Sequence, residues 1–201
     1  MAYERKDRFY KKAKDTGFRS RAAFKILEIN KKFRLFKPGM SVIDLGCWPG
    51  SWLQVIAREV GLTGRVIGVD LEVMNALPEK NVTLIRGDIR QEYTKQRLLL
   101  ELGCKVDVLV SDMAPNLTGI KFQDQFNSFE LAHEAFKLCR TILKEKGSFV
   151  AKIFPGEEAE TFMRDLRSSF GQLKVFSPEA TRKTSDELYL VATGFKNEVQ
   201  K

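Results

Sequence analysis

Val42-Ile43-Asp44-Leu45-Gly46-Cys47-Trp48-Pro49-Gly50-Ser51-Trp52 reads as a short buried strand, a turn on Gly46, Pro49 and Gly50, and a helix that Ser51 caps. Glycine has no side chain to hold a ligand off, so such a loop lets one press against bare backbone. It also aims free N–H groups at whatever sits above the helix start. A nucleotide-like cofactor at the end of the first strand is the expectation.

The loop lacks the G-x-G-x-x-G of dinucleotide sites, because Cys47 and Trp48 follow Gly46. No Gly-Lys-Ser or Gly-Lys-Thr opens the helix, which excludes a P-loop. The remaining pattern, D-L-G-x-x-P-G, resembles the first motif of methyltransferases that use S-adenosylmethionine. On that resemblance Gly46 and Gly50 let the backbone close on the methionine part, and Trp52 walls the site.

Outward from the loop, strands and helices alternate. Strands are expected at Arg65 to Asp70, Val82 to Gly87, Val106 to Ser111 and Ser148 to Ile153. Helices fill 51 to 60, 90 to 102, 127 to 145 and 156 to 170, and Ser20 caps another that runs to about Phe33. Leu173 to Phe176 and Glu187 to Phe195 close the chain as an antiparallel edge. The pattern is α/β: a parallel sheet covered on both faces, with its ligand beyond the carboxyl ends of the strands. One domain spans 1–201, with residues 1–37 a basic arm and helix.

Charge is concentrated in that arm. Of 34 Lys or Arg and 26 Asp or Glu, residues 1–37 hold 13 and 4, leaving 21 against 22 elsewhere. Tyr3, Phe9, Tyr10, Phe18 and Phe24 are interleaved with the cations, either to stack on bases or to anchor the segment. A phosphate-rich partner fits this arm, with a solvated tail as the alternative, and an anionic membrane fits it less well because the arm shows no clear apolar face. The three cysteines, Cys47, Cys104 and Cys139, form no CxxC pair and read as reduced packing residues of a cytoplasmic protein. With His133 the sole histidine, metal sites and histidine triads lose their support, so no metal is expected and proton chemistry falls to Lys, Asp or Glu.

Polar residues gather at the strand ends. Asp70 is placed to accept both hydroxyls of a ribose, and Asp88 to accept from an adenine amino group. Asp112 ends the fourth strand, and Lys152 interrupts Phe149-Val150-Ala151-Lys152-Ile153. A lysine inside a buried strand needs a partner or a task, and Asp112 on the neighbouring strand is the natural partner.

These residues, with Gly17 to Lys25, Ser111 to Asn116, Pro155-Gly156 and Ser185-Asp186-Glu187-Leu188-Tyr189, closely resemble the FtsJ-type ribosomal RNA 2′-O-methyltransferases. The resemblance implies a Rossmann-like fold with a mostly parallel seven-stranded sheet. It implies methyl transfer from S-adenosylmethionine to a ribose 2′-hydroxyl, at a uridine of large-subunit (23S-type) ribosomal RNA within a ribosomal particle, by a monomer. Gly46, Gly50, Trp52, Asp70, Asp88 and Asp112 become the cofactor site. Lys25, Asp112, Lys152 and Glu187 become the catalytic set, with Lys152 either taking the hydroxyl proton or steering the oxygen as a cation. Cys47-Trp48 and Gly50-Ser51 depart from the family's small residues and double glycine. Transfer RNA, an mRNA cap, a dehydrogenase or a non-catalytic RNA-binding module remain as rivals.

Overall fold

The computed structural model describes residues 7–182 and 184–196, so Tyr3 and the first charges of the arm lie outside the described residues. Its sheet is built from β1 (Ser41–Leu45), β2 (Arg65–Asp70), β3 (Val82–Arg86), β4 (Val106–Ser111), β5 (Leu143–Ile153), β6 (Phe170–Phe176) and β7 (Leu188–Phe195). The order across the sheet is β3-β2-β1-β4-β5-β7-β6. The first five are parallel, and β7 runs antiparallel to both β5 and β6. The order reverses between β1 and β4, so a crevice opens beyond their carboxyl ends, the usual ligand position in such sheets.

Six helices accompany the strands among the described residues: α1 (Arg8–Asp15), α2 (Ala23–Phe33), α3 (Ser51–Val60), α4 (Glu92–Leu102), α5 (Lys121–Ile142) and α6 (Glu157–Ser169). The central strands read as apolar runs because both faces are covered. On β5 the alternation is explicit: Phe149, Ala151 and Ile153 belong to the cluster with α5 and α6, while Val150 joins α2 and α3 on the other face. Side chains in a strand alternate, so Lys152 emerges on the α2 side. No described helix is long and apolar enough to cross a membrane.

The strand expectations hold to within a residue or two except at β5 and β6, which begin at Leu143 and Phe170. Leu143 is buried, and a register shift between Val106 and Val108 accommodates the extra length. The long helix starts six residues earlier than expected, at Lys121 rather than 127, and ends at Ile142. The arm also contains a helix the charge pattern hid. Asp7 caps α1 by accepting from the Tyr10 N–H at 3.0 Å, and Arg21 pairs with the same carboxylate.

Both expected serine caps are corrected. Gly50, at φ +103°, holds the N-cap of α3, and the Ser51 hydroxyl instead meets that of Ser20 at 2.8 Å. Ser20 accepts from the Ala22 N–H at 3.2 Å, which leaves Ala22 as the N-cap of α2 with no side-chain cap. The two hydroxyls thus tie the arm to the glycine loop. Three of the arm's aromatics are anchors: Phe9 and Phe18 pack on Phe24 of α2, with ring centroids 5.6 and 5.9 Å away. Cys47 and Cys139 are buried packing residues as expected, but Cys104 is exposed at the turn after α4.

Candidate active site

The topology gathers the acids and lysines at one edge. Asp112 follows β4, Lys152 lies near the end of β5, and β7, being antiparallel, begins at that same edge. Register pairs Lys152 with Tyr189, so Glu187 lies just beyond the sheet, where Lys25 of α2 reaches it. Lys152, 7 % exposed, places Nζ 2.7 Å from the Asp112 carbonyl oxygen and 3.2 Å from its Oδ1. The buried Tyr189 hydroxyl donates to the same Oδ1 at 2.8 Å.

Electrostatics follow from this packing. Burial alone raises Asp112, but the charges of Lys152 and Lys25, with the Tyr189 and Lys152 hydrogen bonds, outweigh it and hold the carboxyl below its ordinary range. Burial, then the Asp112 and Glu187 charges, push the Tyr189 phenol well up, so it remains a donor. Sequence reading missed Tyr189 as a site residue. Its signal was its place two residues after Glu187, on the strand facing Lys152.

Two cavities are lined by members of this group. One, of about 490 Å³, lies at the switch point; Gly46, Trp48, Asp70, Asp88, Asp112 and Asn116 are among its walls. The other, of about 580 Å³, is lined by Ser20, Arg21, Lys25, Lys121, Gln125 and Glu187 among others. Asp112 thus faces the first, and Lys25 and Glu187 face the second.

In the first cavity Gly46 sits at φ +76°, and a Cβ there would lie 2.8 Å from the Met113 backbone. Only glycine fits that crossing. Asp70 accepts from the Trp48 N–H at 2.7 Å through Oδ2 and from the Glu72 N–H at 2.9 Å through Oδ1. A carboxylate has about four acceptor positions, so each oxygen keeps capacity for a ligand hydroxyl. Asp88 is gripped by Arg90, whose Nη2 lies at 2.6 Å. That hydrogen bond is the first cause of its lowered acidity range, so a ligand amino group must share it with the guanidinium.

Two of the named cofactor residues are not brought to this wall. Trp52 packs between α2 and β7, donating its indole N–H to the Ala22 carbonyl at 2.9 Å, with its ring 5.8 Å from that of Tyr189. Trp48, 58 % exposed, is the tryptophan that lines the cavity. A Cβ on Gly50 would meet Met74 Sδ at 2.8 Å and Arg19 Nη1 at 3.1 Å, so this glycine admits the Arg19 side chain. Arg19 in turn donates to the carbonyls of Pro49, Asn75 and Ala76 at 3.1, 2.9 and 2.7 Å. It clamps the glycine loop to the segment after β2.

Asp44 was read only as part of the loop motif, yet it is the most unusual group in the region. It is fully buried, and neither carboxylate oxygen has a hydrogen-bond partner. Burial first, then the charges of Asp112 and Asp70, push it well above the ordinary carboxylate range. Buried polar groups are normally satisfied, so an orphaned acid beside two other acids fits a cation as its missing partner. S-adenosylmethionine carries an ammonium and a sulfonium, and the cavity's acids suit both charges.

The FtsJ-like methyltransferase family matches residues 18–195. A curated relative from Halorubrum lacusprofundi, ribosomal RNA large subunit methyltransferase E, is 44% identical over 190 residues, which is 94% of this chain and 71% of that protein. A crystal structure of a Plasmodium falciparum protein assigned as a ribosomal RNA methyltransferase superposes with a TM-score of 0.80 at 30% identity, covering 89% of this chain and 98% of that one. Fibrillarin from Aeropyrum pernix, solved with natively bound S-adenosyl-L-methionine, shares the fold at a TM-score of 0.55 and 19% identity, over 78% of this chain and 67% of its own.

Proposed function

The chain belongs to the FtsJ-like methyltransferase family, and from that membership we propose that it methylates a ribose 2′-hydroxyl of large-subunit ribosomal RNA, at a uridine, using S-adenosylmethionine. The observation that carries this reading is the Lys152–Asp112 pair, with Asp112 on the wall of one cavity and the Lys25–Glu187 pair on the wall of the other. The relative named as a large-subunit enzyme supports the substrate, and the fibrillarin complex supports the cofactor.

S-adenosylmethionine, when bound, supplies a methyl group activated on a sulfonium. Asp70 would hold its ribose hydroxyls and Asp88 its adenine amino group, while Asp44, fully buried beside the lining residue Leu45, would favour its ammonium through its charge. In the second cavity the acceptor ribose lies beside Lys25 and Glu187. As an ammonium Lys152 has three N–H groups, and Asp112 takes two of them through its carbonyl and Oδ1. The third holds one lone pair of the 2′-oxygen and leaves another free to bond carbon. As the oxygen–carbon bond formed, the carbon–sulfur bond would break and its electron pair would stay on sulfur as a neutral thioether; the hydroxyl proton would then leave the methylated oxygen, where it is strongly acidic and needs only a weak base. Asp112 Oδ2 serves, since Tyr189 and Lys152 both engage Oδ1. Lys25 and Glu187 fix each other at the mouth and so position the ribose.

Asp70→Ala is expected to weaken S-adenosylmethionine binding by roughly 1–3 kcal/mol, the cost of leaving buried polar groups unpaired. Calorimetry reads this directly, and unchanged affinity removes Asp70 from the ribose. Exposed Lys11 and Lys14 on α1 supply part of the electrostatic grip. Replacing both by alanine is expected to flatten the salt dependence of RNA binding by about 0.7 per lost phosphate contact, with cofactor affinity unchanged. An identical slope assigns the RNA to another face.

The reading itself is tested by incubating the protein with S-adenosylmethionine and unmethylated large-subunit ribosomal RNA, then identifying the modified nucleoside by mass spectrometry. A 2′-O-methyluridine is expected. A base-methylated nucleoside, or methylation of transfer RNA alone, overturns it.

A further inference from the structure

The loop from Asp112 to α5 and the first turn of that helix expose three large apolar side chains near one another in the chain: Leu117, Ile120 and Phe122, at 69, 66 and 63 %. Phe126, one turn beyond Phe122, continues the face and rests on Phe129, which reaches the core through Phe162. The loop cannot easily fold these groups inward. Asp124 accepts from the Thr118 N–H at 2.7 Å, the Thr118 hydroxyl at 2.8 Å and the Gly119 N–H at 3.2 Å, which fixes the turn. Single exposed apolar residues are ordinary, but a pinned cluster of them marks a contact surface.

Its position names the contact. Leu117, Gly119, Lys121 and Gln125 line the larger cavity, so the apolar face is the flank of the proposed acceptor site. Lys121 stands between Ile120 and Phe122 in the chain, and Arg21, Lys25 and Arg182 also face the cavity. Cations interleaved with flat apolar surface suit unpaired nucleotides, whose phosphates meet the charges while their bases stack. A duplex presents its phosphates but keeps its base faces stacked, which leaves Ile120 and Phe122 without a role.

We propose that Leu117, Ile120 and Phe122 form a stacking platform for unpaired bases next to the acceptor nucleotide, so that the RNA is taken as a single-stranded segment. This rests on the RNA reading above and adds the form in which the RNA is bound. The platform is distinct from the electrostatic grip of α1, because stacking is insensitive to salt.

The test compares a labelled single-stranded oligouridylate with an A–U duplex of equal length. The wild-type chain is expected to bind the single strand more tightly. Phe122→Ala weakens single-strand binding by roughly ten-fold, in line with one lost stacking contact. Duplex binding, the salt slope and S-adenosylmethionine affinity stay unchanged, and Phe122→Trp restores the affinity. Phe122 is exposed, and an unchanged melting curve shows that the fold survives. Equal single-strand binding by Phe122→Ala overturns the platform while leaving the RNA reading intact. A defect seen only on assembled ribosomal particles, never on naked RNA, also overturns it and assigns the surface to a protein. A wild-type chain that binds no RNA refutes the RNA reading and the platform with it.

Discussion

Lys152→Ala is expected to abolish methyl transfer, by at least about 100-fold at saturating S-adenosylmethionine and RNA, while both ligands still bind. The ammonium is the group assigned to the reacting oxygen, and Asp112 already fixes it from two sides. The substitution also takes the nearest cation from the part-buried Asp112 carboxylate, which keeps the Tyr189 hydrogen bond, so some loss of stability accompanies it. Activity is therefore read beside a melting curve and cofactor calorimetry, so that misfolding is separated from lost chemistry. Lys152→Arg divides steering from proton removal, because arginine stays protonated and cannot serve as a base. Residual activity in that variant supports steering. Near-normal turnover by Lys152→Ala returns the lysine to half of a structural ion pair.

Asp44→Asn carries the second large effect, and it acts in opposite directions on stability and binding. Asp44 is raised in the folded chain by burial first and by Asp112 and Asp70 next, so its ionisation is disfavoured there relative to the unfolded chain. For a raised acid, the favourable contribution is complete below the unfolded value and is lost as pH rises through the folded value. Asparagine has no charge to lose. Without cofactor, the variant is expected to melt higher than the parent at neutral pH, by an amount that shrinks as pH falls toward the ordinary carboxylate range. S-adenosylmethionine affinity falls, because the ammonium loses its counter-charge. Calorimetry in buffers of different ionisation heat gives the complementary reading: the parent releases a proton on binding if Asp44 was neutral, and the variant does not. An Asp44→Asn chain that binds the cofactor as tightly as the parent contradicts the role.

Much of the fold was legible because the chain alternates strongly. Val66 to Val69 and Val108 to Val110 are apolar runs of strand length, and each ends in an acid or serine at the sheet's carboxyl edge. Lys152 stood out because charge inside such a run has few explanations, and its pairing with Asp112 followed from strand adjacency. α1 was not legible, since its apolar stripe is only Phe9 and Ala13 among cations; its anchor is tertiary, through Phe9 and Ala13 on Phe24. The cap predictions failed for a related reason. Ser20 and Ser51 find each other across 31 residues, and local spacing carries no trace of that.

The two tryptophans show the same limit within the site. Trp48 lies in the turn before α3 and Trp52 in its first turn, and the motif favoured the second as a wall. The indole N–H of Trp52 is satisfied by the Ala22 carbonyl under α2, which draws that ring into the core and leaves Trp48 at the cavity. Asp44 was legible as an acid in a strand, but its lack of any partner emerges only when every neighbour is known.

The central claim, that Lys152 drives methylation of a ribose hydroxyl in large-subunit ribosomal RNA, is tested most directly by alkaline cleavage. RNA is isolated from cells carrying the parent chain, lacking it, or carrying Lys152→Ala. A 2′-O-methyl group blocks attack on the adjacent phosphate, so a modified position resists alkali. One uridine of the large-subunit RNA is expected to resist cleavage with the parent and to be cut in the other two. An unchanged cleavage pattern across all three, or restored resistance with Lys152→Ala, contradicts the claim.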